Sequence, residues 1–438
     1  DLVYAGHTGT GFDGRALAML MARMAPLETR ECPFAVKPKS NEKAHWVTPE
    51  LVAQIKFTEW TADHHLRHPV YLGLRDDTHA RDVVRESTTR HHGSVKKRLV
   101  ARADAPVARE PVATAQRNAP APRPARMDTA ALIEQLHALE DAHKDGVLDL
   151  PGGKTLAVTN LHKVFWPQLS LTKGDLFRYY AQVAPVILPV LADRPLVMKR
   201  YPNGVDAKPF YQHRAPDVRP GVRVENVPAA DNRPHLIGGD LTTLLYTSQL
   251  AAISQDPWFS RVDAPGVADQ VALDLDPSDE VPFSQVLDVA RWIRDELQTL
   301  GVFSVPKTSG ASGLHIFIPL AAGTPCEAGL LFCQLAATLV SEKHPREATV
   351  ERSVRARGRR VYIDYLQNIE GKTLASAYSV RANAHAGVSA PLTWKEVDKG
   401  VDREAFTLRT MAARLKTVGD LWEPLRTARG ANLRDVTG

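Results

Sequence analysis

Val271-Ala-Leu-Asp-Leu-Asp-Pro277 sets two carboxylates, Asp274 and Asp276, two residues apart in an otherwise apolar run. In an extended strand alternate side chains share a face, so both acids project together while Leu273 and Leu275 pack behind them. Such a pair is a bidentate holder for divalent metal. It suits two-metal phosphoryl or nucleotidyl transfer, in which one cation activates an attacking hydroxyl and the other steadies the leaving pyrophosphate. Two acids solvated at a strand end before a Pro-Ser turn would read the same way, because a motif this short often misleads.

Two later segments narrow the choice. Lys307-Thr-Ser-Gly-Ala-Ser-Gly-Leu-His-Ile-Phe-Ile-Pro319 is a Gly-rich turn entering an alternating strand, with Ser309 in the turn and His315 on the strand. Amides of such a turn can cradle phosphate oxygens, with hydroxyl and imidazole as further donors. Arg359-Arg-Val-Tyr-Ile-Asp-Tyr-Leu366 places Asp364 in a third apolar strand, behind a basic cluster at Arg355, Arg357, Arg359 and Arg360. A turn glycine pair, a satisfied core histidine and a strand-end acid are bland readings of each segment singly. Their order along the chain argues against all three at once.

In that order the chain resembles the polymerase domain of bacterial ligase D, within the archaeo-eukaryotic primase superfamily, from about Leu156 to Trp422. The resemblance implies an α/β (α+β) primase-polymerase fold with a mixed central sheet. It implies that Asp274, Asp276 and Asp364 hold two catalytic divalent ions, manganese favoured over magnesium, and that Ser309 and His315 contact a nucleoside triphosphate. Lys199, Gln367 and Arg381 match further nucleotide-contacting positions; Lys163 and Lys173 match two lysines that recognise the 5′-phosphate across a DNA gap; Phe210 and Tyr211 match residues that organise the template. Alternation predicts that these two rings point to opposite sides. Thr172 is expected to N-cap a helix through Lys173, Phe177 and Tyr180. A lysine there would add charge to helix amides disposed to bind phosphate. The turn carries Ala311 and Ser312 where relatives often have a charged residue, which puts one auxiliary phosphate or metal contact in doubt.

Composition sets the frame. A chain of 438 residues is expected to hold two or three domains, and 44% apolar residues suffice for ordinary cores. Cys32, Cys326 and Cys333 are too scattered for a disulfide framework or a zinc cage, so buried thiols in a reducing cytosol are expected. No apolar run reaches the length of a membrane span and no signal peptide is evident, which excludes a membrane partner. The start at Asp1 suggests an excerpt from a longer chain.

Of the net charge of +5, the stretch Arg90–Met127 carries +7, which leaves the remainder near −2. This stretch is rich in Ala and Pro without apolar periodicity, so residues 87–128 read as a disordered basic linker. It could gain affinity for DNA by counterion release or serve as a soluble spacer. The linker separates a segment 1–86 from a polymerase domain 129–438. In the first, Asp1–Phe12 reads as a strand with a Gly-rich turn, Gly14–Met24 as a helix, and Leu51–Trp60 and Pro69–Leu74 as strands. Tyr4–Phe12, Val52–Trp60 with Lys56, and Arg67–Arg75 resemble the small all-β oligonucleotide-binding-fold barrel that closes the ligase unit of ligase D. No Lys-x-Asp-Gly adenylation motif is present, so self-contained sealing activity is not expected.

In the second segment helices are expected at Thr129–His143, Phe283–Leu300 and Glu327–Glu342, a turn at Pro202-Asn-Gly, and a strand at Ala375–Arg381. The family further implies cytoplasmic, nucleoid-associated work in non-homologous end joining: filling gaps and extending DNA ends, preference for ribonucleotides, and cooperation with the Ku end-binding protein. Two other readings stay open, a primase that starts chains unaided and a noncatalytic DNA-end scaffold. Three clustered carboxylates without metal would repel one another and raise their pKa values, which argues against the scaffold.

Overall fold

The computed structural model describes residues 2–9, 14–38, 44–57, 61, 65–67, 69–75, 80–83, 129–215, 219–230 and 232–436. The expected linker at 87–128 lies outside them. Near the N-terminus, helix α1 (Gly14–Met24) forms where its apolar spacing placed it, and strands β1 (Val52–Lys56) and β2 (Val70–Arg75) pair antiparallel. The stretch expected as a strand at the start of the chain contributes only an isolated bridge from Leu2 to Phe34. The sheets here are two-stranded, and no closed barrel exists among the described residues. Lys56 falls on β1, its side chain outside the described set.

After the linker, helix α2 (Ala130–Asp141) buries Leu132 and Leu136 against α3 (Lys173–Leu191). At their junction Glu140 of α2 pairs with Arg178 of α3, which also holds Asp175 at 2.7 Å. Thr172 caps α3 as expected: its hydroxyl accepts from the Asp175 amide at 3.1 Å, and the Asp175 carboxylate accepts the Thr172 amide in return. Strands β3 (Leu196–Arg200) and β4 (Phe210–Gln212) form an antiparallel pair around the Pro202-Asn-Gly turn, and α4 (Leu241–Gln249) packs beside α3.

The body of the domain is a five-stranded mixed sheet. In chain order its members are β5 (Gln270–Pro277), β6 (Val305–Thr308), β7 (Leu314–Pro319), β8 (Ala348–Thr349) and β9 (Val361–Asp364), and their spatial order is β6-β7-β5-β9-β8. Only the β8–β9 edge is parallel, so the expected mixed sheet with the three aspartates on neighbouring strands is what forms. Helices α5 (Phe283–Thr299) and α6 (Cys326–Lys343) cover one face, where Leu273 and Leu275 of β5 meet Ile293 and Leu297 of α5 and Phe332 and Val340 of α6. The opposite face belongs to a second core that includes α3, α4, Ala272 and Phe317. Every residue of β7 is buried, which is why its sequence reads as a nearly continuous apolar run interrupted by His315.

Cys326 and Cys333 lie buried on α6, and burial pushes both thiols up. Ala375–Arg381 departs from the expected strand. It runs as irregular chain in which Tyr378 takes a left-handed φ of 66° and Val380 makes an isolated bridge to Val388. Its alternation records burial of Ala375, Ala377 and Val380 in a loop and carries no ladder. Among the described residues no helix is long and apolar enough to cross a membrane.

Candidate active site

Strand register builds the site. On β5, Asp274 lies directly opposite His315 of β7 on one side and Asp364 of β9 on the other, and Lys307 of β6 lies opposite His315. Cross-strand partners share a face. The four residues therefore form a row, Lys307–His315–Asp274–Asp364, across the sheet on the face turned from α5 and α6. Asp276, two residues on, sits opposite Tyr362 on the same face.

Each carboxylate has its own protein partners. His315 Nε2 stands 3.3 Å from Asp274 Oδ1. Burial works to raise the Asp274 pKa, but His315, Lys307 and Arg381 more than offset it and hold the carboxyl below its ordinary range. Asp276 Oδ2 accepts from Arg357 Nη1 at 3.1 Å, and Arg357 lies over the Tyr362 ring with its carbon 3.9 Å from the centroid. Burial, then the neighbouring Asp274 charge, pushes Asp276 up. Asp364 accepts from Tyr362 Oη at 3.2 Å, the Leu366 amide at 2.8 Å and Gln367 Nε2 at 2.9 Å. Gln367 thus orients a carboxylate in this structure. Among the described residues no three His, Cys, Asp or Glu side chains stand grouped so as to hold a metal ion.

The Gly-rich turn is tied to the same strands. Ser309 Oγ accepts the amides of Ala311 (3.1 Å) and Gly313 (3.0 Å), so the turn spends those two donors on its own hydroxyl. Gly310 adopts a φ of +74°, and a Cβ there would lie 2.6 Å from Arg381 Cγ, so the glycine lets Arg381 reach the site. The Arg381 charge acts on Lys199, Asp256, Asp274, Lys307 and His315. Lys199 of β3 points its Nζ over the rings of Tyr201 and Tyr211, 5.8 Å and 5.5 Å from their centroids.

Phe210 and Tyr211 divide as alternation requires. Phe210 is 8% exposed and packs beneath the Arg200 guanidinium, 5.2 Å from its centroid, whereas Tyr211 is 63% exposed. A covered ring has no face to offer a base, so Tyr211 alone of the pair is available for stacking.

The two lysines expected at a 5′-phosphate line one recess of about 250 Å³, open to solvent, with Asn160, Phe165, Pro202 and Gln249. Lys173 is 4% exposed there, and its Nζ donates to Thr159 O and Gln249 Oε1, both at 3.0 Å. Lys163 is half-buried and reaches Asn203 Oδ1 at 3.5 Å. The helix amides are a correction to expectation. Those of Lys173 and Gly174 donate to Lys163 O and Leu161 O at 2.8 Å, and that of Asp175 goes to its cap, so the lysine side chains are what could meet a phosphate.

The chain matches the family described as LigD, primase-polymerase domain, over residues 172–422, more than half its length, and the family described as ATP dependent DNA ligase C terminal region over residues 1–78. The chain belongs to the LigD primase-polymerase domain family. The polymerase domain from Mycobacterium tuberculosis ligase D, solved in complex with DNA, superposes with a TM-score of 0.58 at 31% identity, covering 63% of this chain and 99% of that one. The multifunctional non-homologous end joining protein LigD of Pseudomonas aeruginosa is 27% identical over 94% of this chain and 44% of its own length. The bifunctional LigD of Bacillus subtilis is 32% identical over 60% of this chain and 43% of its own. The chain thus spans less than half of each of these full-length LigD relatives.

Two residues of this LigD-type site had no role assigned from sequence. Asp256 accepts from Ser254 Oγ at 2.7 Å, and burial pushes its carboxyl up against the pull of Arg381, Lys199 and Lys307. Lys307 is fully buried with its pKa driven well below the ordinary value, by burial first and then by Arg381. A lysine inside an otherwise apolar strand was the available signal for Lys307. Asp256, before Pro257 in an irregular stretch, offered none.

Proposed function

We propose that the chain is a nucleotidyltransferase that extends a primer 3′-hydroxyl by template-directed attack on the α-phosphate of a nucleoside triphosphate, filling gaps and extending ends in bacterial non-homologous end joining. The row Lys307–His315–Asp274–Asp364, with Asp276 beside it and Ser309, Lys199 and Arg381 around it, carries this reading. Oxygen-only carboxylate donors on adjacent strands have the chemistry of a hard divalent-cation site. Asp274, Asp276 and Asp364 would hold two such ions, manganese favoured over magnesium on the family resemblance. When bound, the ions supply positive charge that favours the nucleophilic alkoxide and the departing pyrophosphate. His315, held neutral with its pKa lowered to about 4 by burial and by Lys307, donates from Nε2, and Arg381 and Lys199 offset triphosphate charge. Ser309 contributes its hydroxyl proton, and Gln367 keeps Asp364 turned to the site.

On this reading the recess at Lys163 and Lys173 takes the 5′-phosphate of a gap, and Tyr211 supports an unpaired template base. The segment 1–86 is an oligonucleotide-binding module, and the positive charge of residues 87–128 adds salt-sensitive DNA affinity. Ribonucleotide preference and cooperation with Ku follow from family resemblance.

Primer extension on a gapped duplex with manganese and ribonucleotides tests the reading: templated addition, stronger with a downstream 5′-phosphate, is expected. Addition that ignores the template, or chains begun without a primer, would reject it. Lys163→Met is expected to remove most of the stimulation by the 5′-phosphate and to lower the salt slope of binding by about one. An unchanged slope by fluorescence anisotropy would take Lys163 out of the phosphate site. Tyr211→Ala is expected to weaken single-stranded template binding by about 1–3 kcal/mol with the melting temperature unchanged. Phe210→Ala is expected to destabilise the fold by about 3 kcal/mol through its lost packing. Reversed outcomes would reassign the two rings.

A further inference from the structure

Lys307 Nζ contacts three atoms, and all three can accept a hydrogen bond: His315 Nδ1 at 2.6 Å, Ala375 O at 2.9 Å and Ser389 Oγ at 2.6 Å. Ser389 Oγ commits its own proton to Thr308 O at 2.8 Å, so toward Lys307 it is an acceptor. Three acceptors around a fully buried nitrogen match the three donors of an ammonium group. On the far side of the imidazole, Nε2 faces Asp274 Oδ1 at 3.3 Å, and a carboxylate can only accept. A proton is therefore required on Nε2.

That leaves one proton to be placed between Nδ1 and the amine. Lysine is ordinarily more basic than histidine by about four pH units, and both groups here share one buried environment. The proton belongs to the amine, and Nδ1 receives it as an acceptor. The Gly-rich motif thus includes, two residues ahead of Ser309, a lysine with no solvent access whose one ring partner is the site histidine.

We infer that Lys307 is a positioning residue that locks His315 in the Nε2–H tautomer, so that the imidazole always presents a donor, never a lone pair, toward Asp274 and the space above it. This deepens the polymerase reading and rests on it for its functional meaning: a donor at Nε2 suits a phosphate oxygen, whereas the other tautomer would repel one. The arrangement is a buried second layer beneath the site, comparable in logic to the partners that fix the tautomer of a metal-bound histidine.

The test is long-range 1H–15N correlation spectroscopy on the full, metal-free chain with 15N-labelled histidine, the His315 signals being assigned by their loss in His315→Gln. The wild-type chain is expected to show a protonated Nε2 and an unprotonated Nδ1. Lys307→Met, similar in shape but without donors, is expected to put a proton on Nδ1, as the other tautomer or as imidazolium. Ser389→Ala disturbs the same buried cluster while leaving the lysine, and is expected to keep the wild-type pattern. A proton on Nδ1 in the wild type, an unchanged pattern in Lys307→Met, or the same change in Ser389→Ala would each overturn the inference. If Lys307→Met does not fold, the wild-type pattern decides alone. Primer extension by Lys307→Met is expected to fall about 10–100-fold, mainly in kcat. A wild-type chain with the locked tautomer but no extension would refute the polymerase reading and leave the lock. Extension with a proton on Nδ1 would do the reverse.

Discussion

Asp274→Ala is expected to lower templated nucleotide addition by at least about 10³-fold, equivalent to about 4 kcal/mol of transition-state stabilisation, while leaving DNA binding intact. Asp274 is the one carboxylate that touches both neighbours in the row, His315 through its side chain and Asp364 through strand register. Its removal leaves His315 without an acceptor and deprives the site of a carboxylate held below its ordinary pKa range. Leu273 and Leu275 sit on the opposite face against α5 and α6, so the packing that stabilises β5 is untouched. The comparison is primer extension with manganese, beside anisotropy with the same gapped duplex. Addition within tenfold of wild type would remove Asp274 from the chemistry. Unchanged end-joining support by an extension-dead variant would favour the scaffold reading.

Gly313→Ala is the second large effect, and it acts through the backbone. A Cβ on residue 313 would lie 2.1 Å from the Leu275 carbonyl oxygen, an atom fixed by the ladder between β5 and β7. No side chain can move aside to relieve that contact. The variant is expected to lose about 3 kcal/mol of stability, the upper end for overpacking. Activity should fall further than stability explains, because the Gly313 amide and carbonyl both bond Ser309. Gly266→Ala, where nothing lies within 4 Å of the added Cβ, is the control and is expected to be nearly neutral. Chemical denaturation measures the first part, and extension at a temperature where both variants are folded measures the second. A Gly313→Ala chain as stable as Gly266→Ala would mean that β5 and β7 are less tightly coupled than the register implies.

The candidate site was legible to different depths in different places. Helices α1, α3, α5 and α6 lie close to where periodicity and capping chemistry put them, because those signals are local. Period-two alternation placed Asp274 with Asp276, separated them from Leu273 and Leu275, and separated Phe210 from Tyr211. It could not say which ring is covered, since that depends on Arg200 lying above Phe210. Alternation at Ala375–Arg381 also misled, because a buried loop with every second residue small and inward imitates a strand. The amides at the start of α3 were expected to be available for phosphate; the preceding loop folds back and places the Leu161 and Lys163 carbonyls on two of them.

By itself the sequence determined which residue types could carry phosphoryl chemistry, which strands they occupy and which way each side chain points along its own strand. Only the tertiary structure decided that Lys307, His315, Asp274 and Asp364 stand in one row, that Arg357 pairs with Asp276, and that Gln367 serves Asp364. The physical reason is that side-chain direction along a strand follows from a two-residue repeat, whereas register between strands separated by about 30 to 90 residues is set by the packing of the whole sheet against its helices.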